Sequence, residues 1–107
     1  RALRIEWIPV MKTVTPTEFA ALSDAVLIDV REPDEVAQAS MPGAINIPMS
    51  SFGEHLDELP EGTLYLVCHA GGRSARVATA LEQQGYDVVN VEGGITQWEQ
   101  EGLPVQR

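Results

Sequence analysis

The chain has 107 residues, 44% of them hydrophobic and 21% charged, which fits one soluble globular domain rather than two. A net charge of −9 argues against nucleic acid and anionic membrane surfaces as partners, and no apolar run approaches the ~18 residues of a membrane span. The single cysteine excludes an internal disulfide and a cysteine-rich zinc site, and points to a reducing, cytoplasmic setting.

Residues 1–8, Trp7 among them, form an N-terminal extension that fits no element, and the domain runs over 9–107 with no signal-peptide pattern ahead of it. The stretch Val10–Val14 is expected to supply a strand. Thr15-Pro16-Thr17-Glu18 is a capping box with proline at the first helical position. Val26-Leu27-Ile28 follows as a short β-branched run, and Glu32-Pro33-Asp34-Glu35 opens a second proline-led helix. After the run Ala44–Ile47, the i, i+4, i+7 spacing of Phe52, Leu56 and Leu59 predicts a helix closed by Pro60. Leu64–Val67 is a further buried run. Ser74 is expected to cap a helix through Val77, Ala78 and Leu81 that ends at Gly85. Val88–Val91 is the last strand, and a final helix follows Gly93-Gly94, turns Ile95 and Trp98 inward and stops at Gly102-Leu103-Pro104.

These runs lack strict polar alternation, which suits strands buried on both faces. Strand–helix alternation then predicts the α/β class: a three-layer α/β/α single domain with a mainly parallel sheet of about five strands. In such sheets ligands bind where strands end and helices begin. The informative loop is therefore Cys68-His69-Ala70-Gly71-Gly72-Arg73-Ser74.

Gly71-Gly72 permits a tight bowl whose N–H groups, followed by a helix start, converge on one point. Arg73 adds a permanent charge and a forked donor set. A lone cysteine at a strand end is usually a small buried hydrophobe, but this setting makes Cys68 a nucleophile. Lowering a thiol from pKa ~8.5 to ~6 raises its thiolate fraction at pH 7 from ~3% to ~90%. With a Brønsted slope of ~0.4–0.5 the lost nucleophilicity cancels most of that, leaving a gain of about two- to threefold. The bowl should therefore serve mainly to hold an anion and stabilise charge in the transition state. Arg76 either faces the same pocket or points to solvent, His69 contributes through its backbone, and His55 is a surface or packing residue.

The chain from about Thr13 to Val105 resembles the rhodanese family. Leu27-Ile28-Asp29-Val30-Arg31-Glu32 is similar to its first signature and Met41-Pro42-Gly43-Ala44-Ile45-Asn46-Ile47-Pro48 to its second. Cys68 to Ser74 is similar to its active-site loop, and Val91-Glu92-Gly93-Gly94-Ile95 with Trp98 and Gly102-Leu103-Pro104-Val105 to its closing segment. The resemblance implies a sulfurtransferase whose Cys68 takes sulfane sulfur from thiosulfate, a polysulfide or a protein persulfide, with Cys68 to Arg73 as the anion cradle. It also implies that Asp29 and Arg31 brace the site. Read from the residues alone, they fit a structural carboxylate and arginine equally well. Ala39-Ser40 departs from the Gly-His that many members carry before the second signature.

Two other readings compete. Cysteine-based phosphatases and arsenate reductases place five residues between cysteine and arginine, whereas His69, Ala70, Gly71 and Gly72 alone intervene here, and no general acid stands out. Alternatively the domain is a sulfur-relay or binding module served by a protein persulfide partner. Arg73 and the helix start are expected to dominate the charge at the pocket, because charges beyond a Debye length of ~8 Å are screened. The favoured mechanism is ping-pong. The Cys68 thiolate takes sulfur as a persulfide, stabilised by Arg73 with His69, Ala70, Gly71, Gly72 and Ser74 lining the site, and passes it to a thiol, cyanide or protein acceptor without metal or organic cofactor.

Overall fold

The computed structural model describes residues 11–107. The extension 1–8, with Trp7, and Val10 therefore lie outside the described residues. Ten elements follow in chain order: β1 Thr13–Val14, α1 Pro16–Ala20, β2 Val26–Asp29, α2 Pro33–Gln38, β3 Ile45–Asn46, a 3-10 segment Met49–Glu58, β4 Leu64–Val67, α3 Gly72–Gln83, β5 Val88–Val91 and α4 Gly94–Gln100. The five strands form one parallel sheet in the order β1-β5-β4-β2-β3, which places β4 at its centre.

Each helix start follows from its local chemistry. Thr15 Oγ1 accepts the Glu18 N–H at 3.0 Å while Glu18 Oε1 accepts the Thr15 N–H at 2.8 Å, so two free donors of the first turn are satisfied reciprocally. Glu32 and Glu35 repeat the arrangement at α2. The sheet divides the core in two. On one face Ile28, Leu64, Leu66 and Val88 pack with Val77, Ala78 and Leu81 of α3 and with Phe52 of the 3-10 segment. On the other, Leu27, Val67 and Val91 pack with Ile95 and Trp98 of α4, with Phe19 of α1 against them. Ile28, Leu64 and Leu66 are 0% exposed, and burying such a side chain stabilises the fold by about 1.5–3 kcal/mol. The domain is thus the expected α/β/α sandwich.

Two expected elements change form. The stretch from Phe52 to Leu59 is not an α-helix. Ser51 (φ −127°) and His55 (φ −118°) interrupt it into 3-10 turns, and Leu59 lies beyond its end in extended conformation. Phe52 still reaches the core because a 3-10 turn also brings one side of the chain inward. Helix α3 begins at Gly72, not Ser74. Its N-cap is Gly71 at φ +103°, and Ser74 lies inside the first turn with its side chain committed elsewhere. Ser40, at the Ala39-Ser40 departure, makes an antiparallel bridge to Gln106 through backbone bonds of 2.8 and 2.7 Å, tying down the end of the described chain.

Candidate active site

Cys68 follows β4 directly, at the C-terminal end of the central strand, and is 1% exposed. The residue after a buried strand must turn sharply. Here the turn is taken by Gly71, whose positive φ an L side chain rarely adopts. The Gly71 N–H points back at Cys68 Sγ at 3.0 Å, and Ser74 Oγ stands 3.3 Å from the same sulfur. Burial pushes the Cys68 thiol up, but the Ser74 hydroxyl and the N–H groups of Ser74, Gly71 and Ala70 outweigh it, and the net direction is below the ordinary value of 9.0.

The loop's carbonyls are held on its other side. Cys68 O accepts the Ile95 N–H at 2.8 Å, and His69 O accepts the Thr96 N–H at 3.1 Å and the Thr96 hydroxyl at 3.1 Å. With these carbonyls bound to α4, the bowl presents donors to the sulfur. The approach is close enough that a Cβ on Gly94 would lie 2.3 Å from Cys68 O and 2.4 Å from His69 O. Gly94 is therefore a site residue, although the sequence marks it as a helix start and as part of the closing segment without tying it to the cysteine loop.

Ser74 is 0% exposed, and its hydroxyl lies 2.6 Å from Asn90 Oδ1 and 3.3 Å from both Cys68 Sγ and Gly71 O. One proton serves one acceptor at a time. The 2.6 Å contact makes Asn90 Oδ1 the nearest acceptor, with Cys68 Sγ and Gly71 O as the alternatives at 3.3 Å. Asn90 is the buried polar residue of β5, and its place in an otherwise apolar run was the available signal for this role.

Arg73 does not stand free over the bowl. Its Nη1 and Nη2 donate to Glu35 Oε1 and Oε2 at 2.7 and 2.8 Å. The guanidinium holds the Glu35 carboxyl at about 2, against its ordinary 4.5, with the Glu32 N–H helping and burial opposing. The expected dominance of Arg73 at the pocket thus meets a full counter-charge. Asp29 and Arg31 form a second pair. Arg31 Nη2 donates to Asp29 Oδ2 at 2.8 Å and to Ala39 O at 2.7 Å, and Arg31 Nε to Asp29 Oδ1 at 3.0 Å. Arg31, Glu35, Ala39, His69, Ile95 and Glu99 line a cleft of about 220 Å³ beside the loop, which Cys68 does not reach.

Arg76 lines a different groove with Met49 and Phe52, and His55 is half-exposed beside Glu58 at 2.6 Å. A larger hollow of about 430 Å³, among Leu56, Pro60, Tyr86 and Asp87, lies at the opposite end of the sheet and holds no nucleophile. Among the described residues no three His, Cys, Asp or Glu side chains could hold a metal ion, and no helix is long and apolar enough to cross a membrane.

A parallel five-stranded domain with a cysteine loop of this form defines a class, and the comparisons place the chain within it. The profile of the rhodanese-like domain matches residues 15–101, and the chain belongs to that family. It is 38% identical over 89 residues to a sulfurtransferase of Allochromatium vinosum, covering 81% of this chain and 83% of that protein. It is 34% identical over 84 residues to a thiosulfate sulfurtransferase of Actinobacillus pleuropneumoniae serotype 3, covering 77% of this chain and 78% of that one. Among solved structures, the rhodanese-related protein of Thermoplasma volcanium superposes with a TM-score of 0.83 at 34% identity, over 89% of this chain and 97% of that one.

Proposed function

We propose that the protein is a sulfurtransferase in which Cys68 accepts a sulfane sulfur as a persulfide and passes it to a thiol. The observation that carries this reading is the recessed sulfur itself. It faces the Gly71 N–H at 3.0 Å and the Ser74 hydroxyl at 3.3 Å, with the adjoining carbonyls bound to α4. Such a ring of donors stabilises a thiolate and the negative charge of a persulfide without a general base.

In the first half-reaction the Cys68 thiolate attacks the outer sulfur of the donor. The new S–S bond forms as the bond to the leaving group breaks, and sulfite leaves from thiosulfate or a thiolate from a persulfide. In the second, an acceptor thiolate takes the outer sulfur and restores the Cys68 thiolate. The groups near sulfur are the N–H donors of Ala70, Gly71 and Ser74 and the Ser74 hydroxyl. His69 contributes its carbonyl to α4, Gly72 starts the helix, and Asp29 with Arg31 braces the neighbouring corner. The acceptor is a small thiol or a partner protein in a reducing cytoplasm, and no cofactor enters either step.

Intact mass measurement tests this after incubation with thiosulfate and, separately, with an alkyl persulfide. The expected result is gain of one sulfur, reversed by cyanide and absent in Cys68→Ser. A folded protein with an alkylatable thiol and no adduct from either donor would sink the reading. Adduct from a protein persulfide alone would establish the relay.

A further inference from the structure

We infer that Glu35 sets donor specificity: by cancelling the charge of Arg73 it leaves a sulfur site that favours donors carrying one negative charge or none over a dianion. The inference rests on the sulfur-transfer reading above.

Arg73 is the cation of the Cys68–Ser74 loop, and both of its terminal nitrogens are taken by Glu35. The neighbouring Arg31 is spent on Asp29, and Arg107 is paired with Glu99 on the cleft wall. Arg76 lines the groove beyond α3, and Lys12 is paired with Asp87 at the far end of the sheet. The groups facing Glu35 are Arg73 on α3, Arg31, whose Nη1 lies 3.5 Å from Glu35 O, the Glu32 N–H on its own helix start, and His69 and Glu99 across the cleft. No described cation is left uncompensated beside the loop. What remains for an incoming anion is a ring of N–H dipoles, suited to one charge.

The donors differ in how much charge the transition state must gather. Thiolate and thiosulfate bring three negative charges together and release sulfite and an anionic persulfide. Methanethiosulfonate, with a methyl group in place of one oxygen, brings two and releases methanesulfinate. A neutral alkyl persulfide R–S–SH brings one, giving the Cys68 persulfide with its proton and the thiolate R–S⁻. Because sulfite, methanesulfinate and a thiolate differ as leaving groups, the effect of charge is read from the change in a donor ratio between parent and variant, in which those differences cancel.

Glu35→Gln removes the counter-charge and keeps the acceptor for the Glu32 N–H, since glutamine also closes a capping box. Iodoacetate and iodoacetamide differ by one charge and alkylate Cys68 without sulfur transfer. Their rate ratio is expected to rise roughly three- to tenfold in Glu35→Gln, the effect of one charge a few ångströms away in a partly screened site. The kcat/KM ratio of thiosulfate to methanethiosulfonate should rise by a similar factor. Glu35→Asp, which keeps the charge, should leave both ratios near the parent values. Equal changes for both members of a pair, or an aspartate variant that behaves like the glutamine one, would overturn the inference. An unchanged alkylation ratio beside normal persulfide formation overturns it alone. Absence of persulfide from any donor overturns the sulfur-transfer reading with it.

Discussion

Two arginine–carboxylate pairs flank the same corner of the molecule and are built from the same chemistry. In Asp29–Arg31 the side chains are 1% and 3% exposed, and the carboxylate also accepts the Arg31 N–H at 3.0 Å. In Glu35–Arg73 they are 31% and 33% exposed, and the pair joins two helices across 38 residues of sequence. A sealed pair holds shape because neither partner can be left alone without stranding a charge in a low dielectric. A half-exposed pair costs little to break, so its effect is felt through its field. The corner therefore separates support from tuning.

The sharpest way to break this contrast is at the sealed pair. Asp29→Ala strands the Arg31 charge and should cost about 3–5 kcal/mol in urea unfolding, whereas Asp29→Leu with Arg31→Met should recover much of that loss. A single substitution costing under about 1 kcal/mol would remove the distinction. Next in size is Gly94→Ala. Its Cβ would meet Cys68 O at 2.3 Å on a backbone at φ +57°, so a loss of about 2 kcal/mol is expected, with the alkylation midpoint of Cys68 moving up as the bowl opens.

Ser74→Ala strands the buried Asn90 and should cost about 1–2 kcal/mol. It should also move the midpoint of the iodoacetamide rate–pH profile up toward that of an ordinary cysteine. The sign follows from linkage. Cys68 has a folded pKa below its unfolded value, so its contribution is present above the unfolded pKa and is lost as pH falls through the folded one. Removing Ser74 flattens that dependence. The smallest stability effect belongs to Glu35→Gln, under about 1 kcal/mol at neutral pH. Because Glu35 titrates at about 2 against an ordinary 4.5, its contribution is present above 4.5 and disappears as pH falls toward 2. Acid unfolding curves of parent and variant should converge across that window. Curves that stay parallel would mean that Arg73 does not hold the carboxylate.

Much of this was legible in the chain. The apolar runs predict β2, β4 and β5, the proline-led starts predict α1 and α2, and the loop from Cys68 to Ser74 can be picked out because glycine, arginine and a helix start follow a buried strand. What was not legible is side-chain pairing over distance. Glu35 already has a sufficient local explanation as the third residue of a capping box, which hides its second partner at Arg73. Ser74 likewise looks like a cap, and its partner Asn90 is fixed only once β5 lies beside β4. The i, i+4, i+7 spacing of Phe52, Leu56 and Leu59 satisfies a helical pattern that the backbone at Ser51 and His55 does not follow, because periodicity records which side is inward and not how tightly the chain is wound.

The hold of α4 on the Cys68 and His69 carbonyls has a consequence in time. During synthesis the cysteine emerges well before Gly94, Ile95 and Thr96. Until those residues arrive, no amide is there to turn the loop's peptide groups over, and the thiol is an ordinary one. The donor ring around Cys68 is thereby complete only once α4 has docked on the loop.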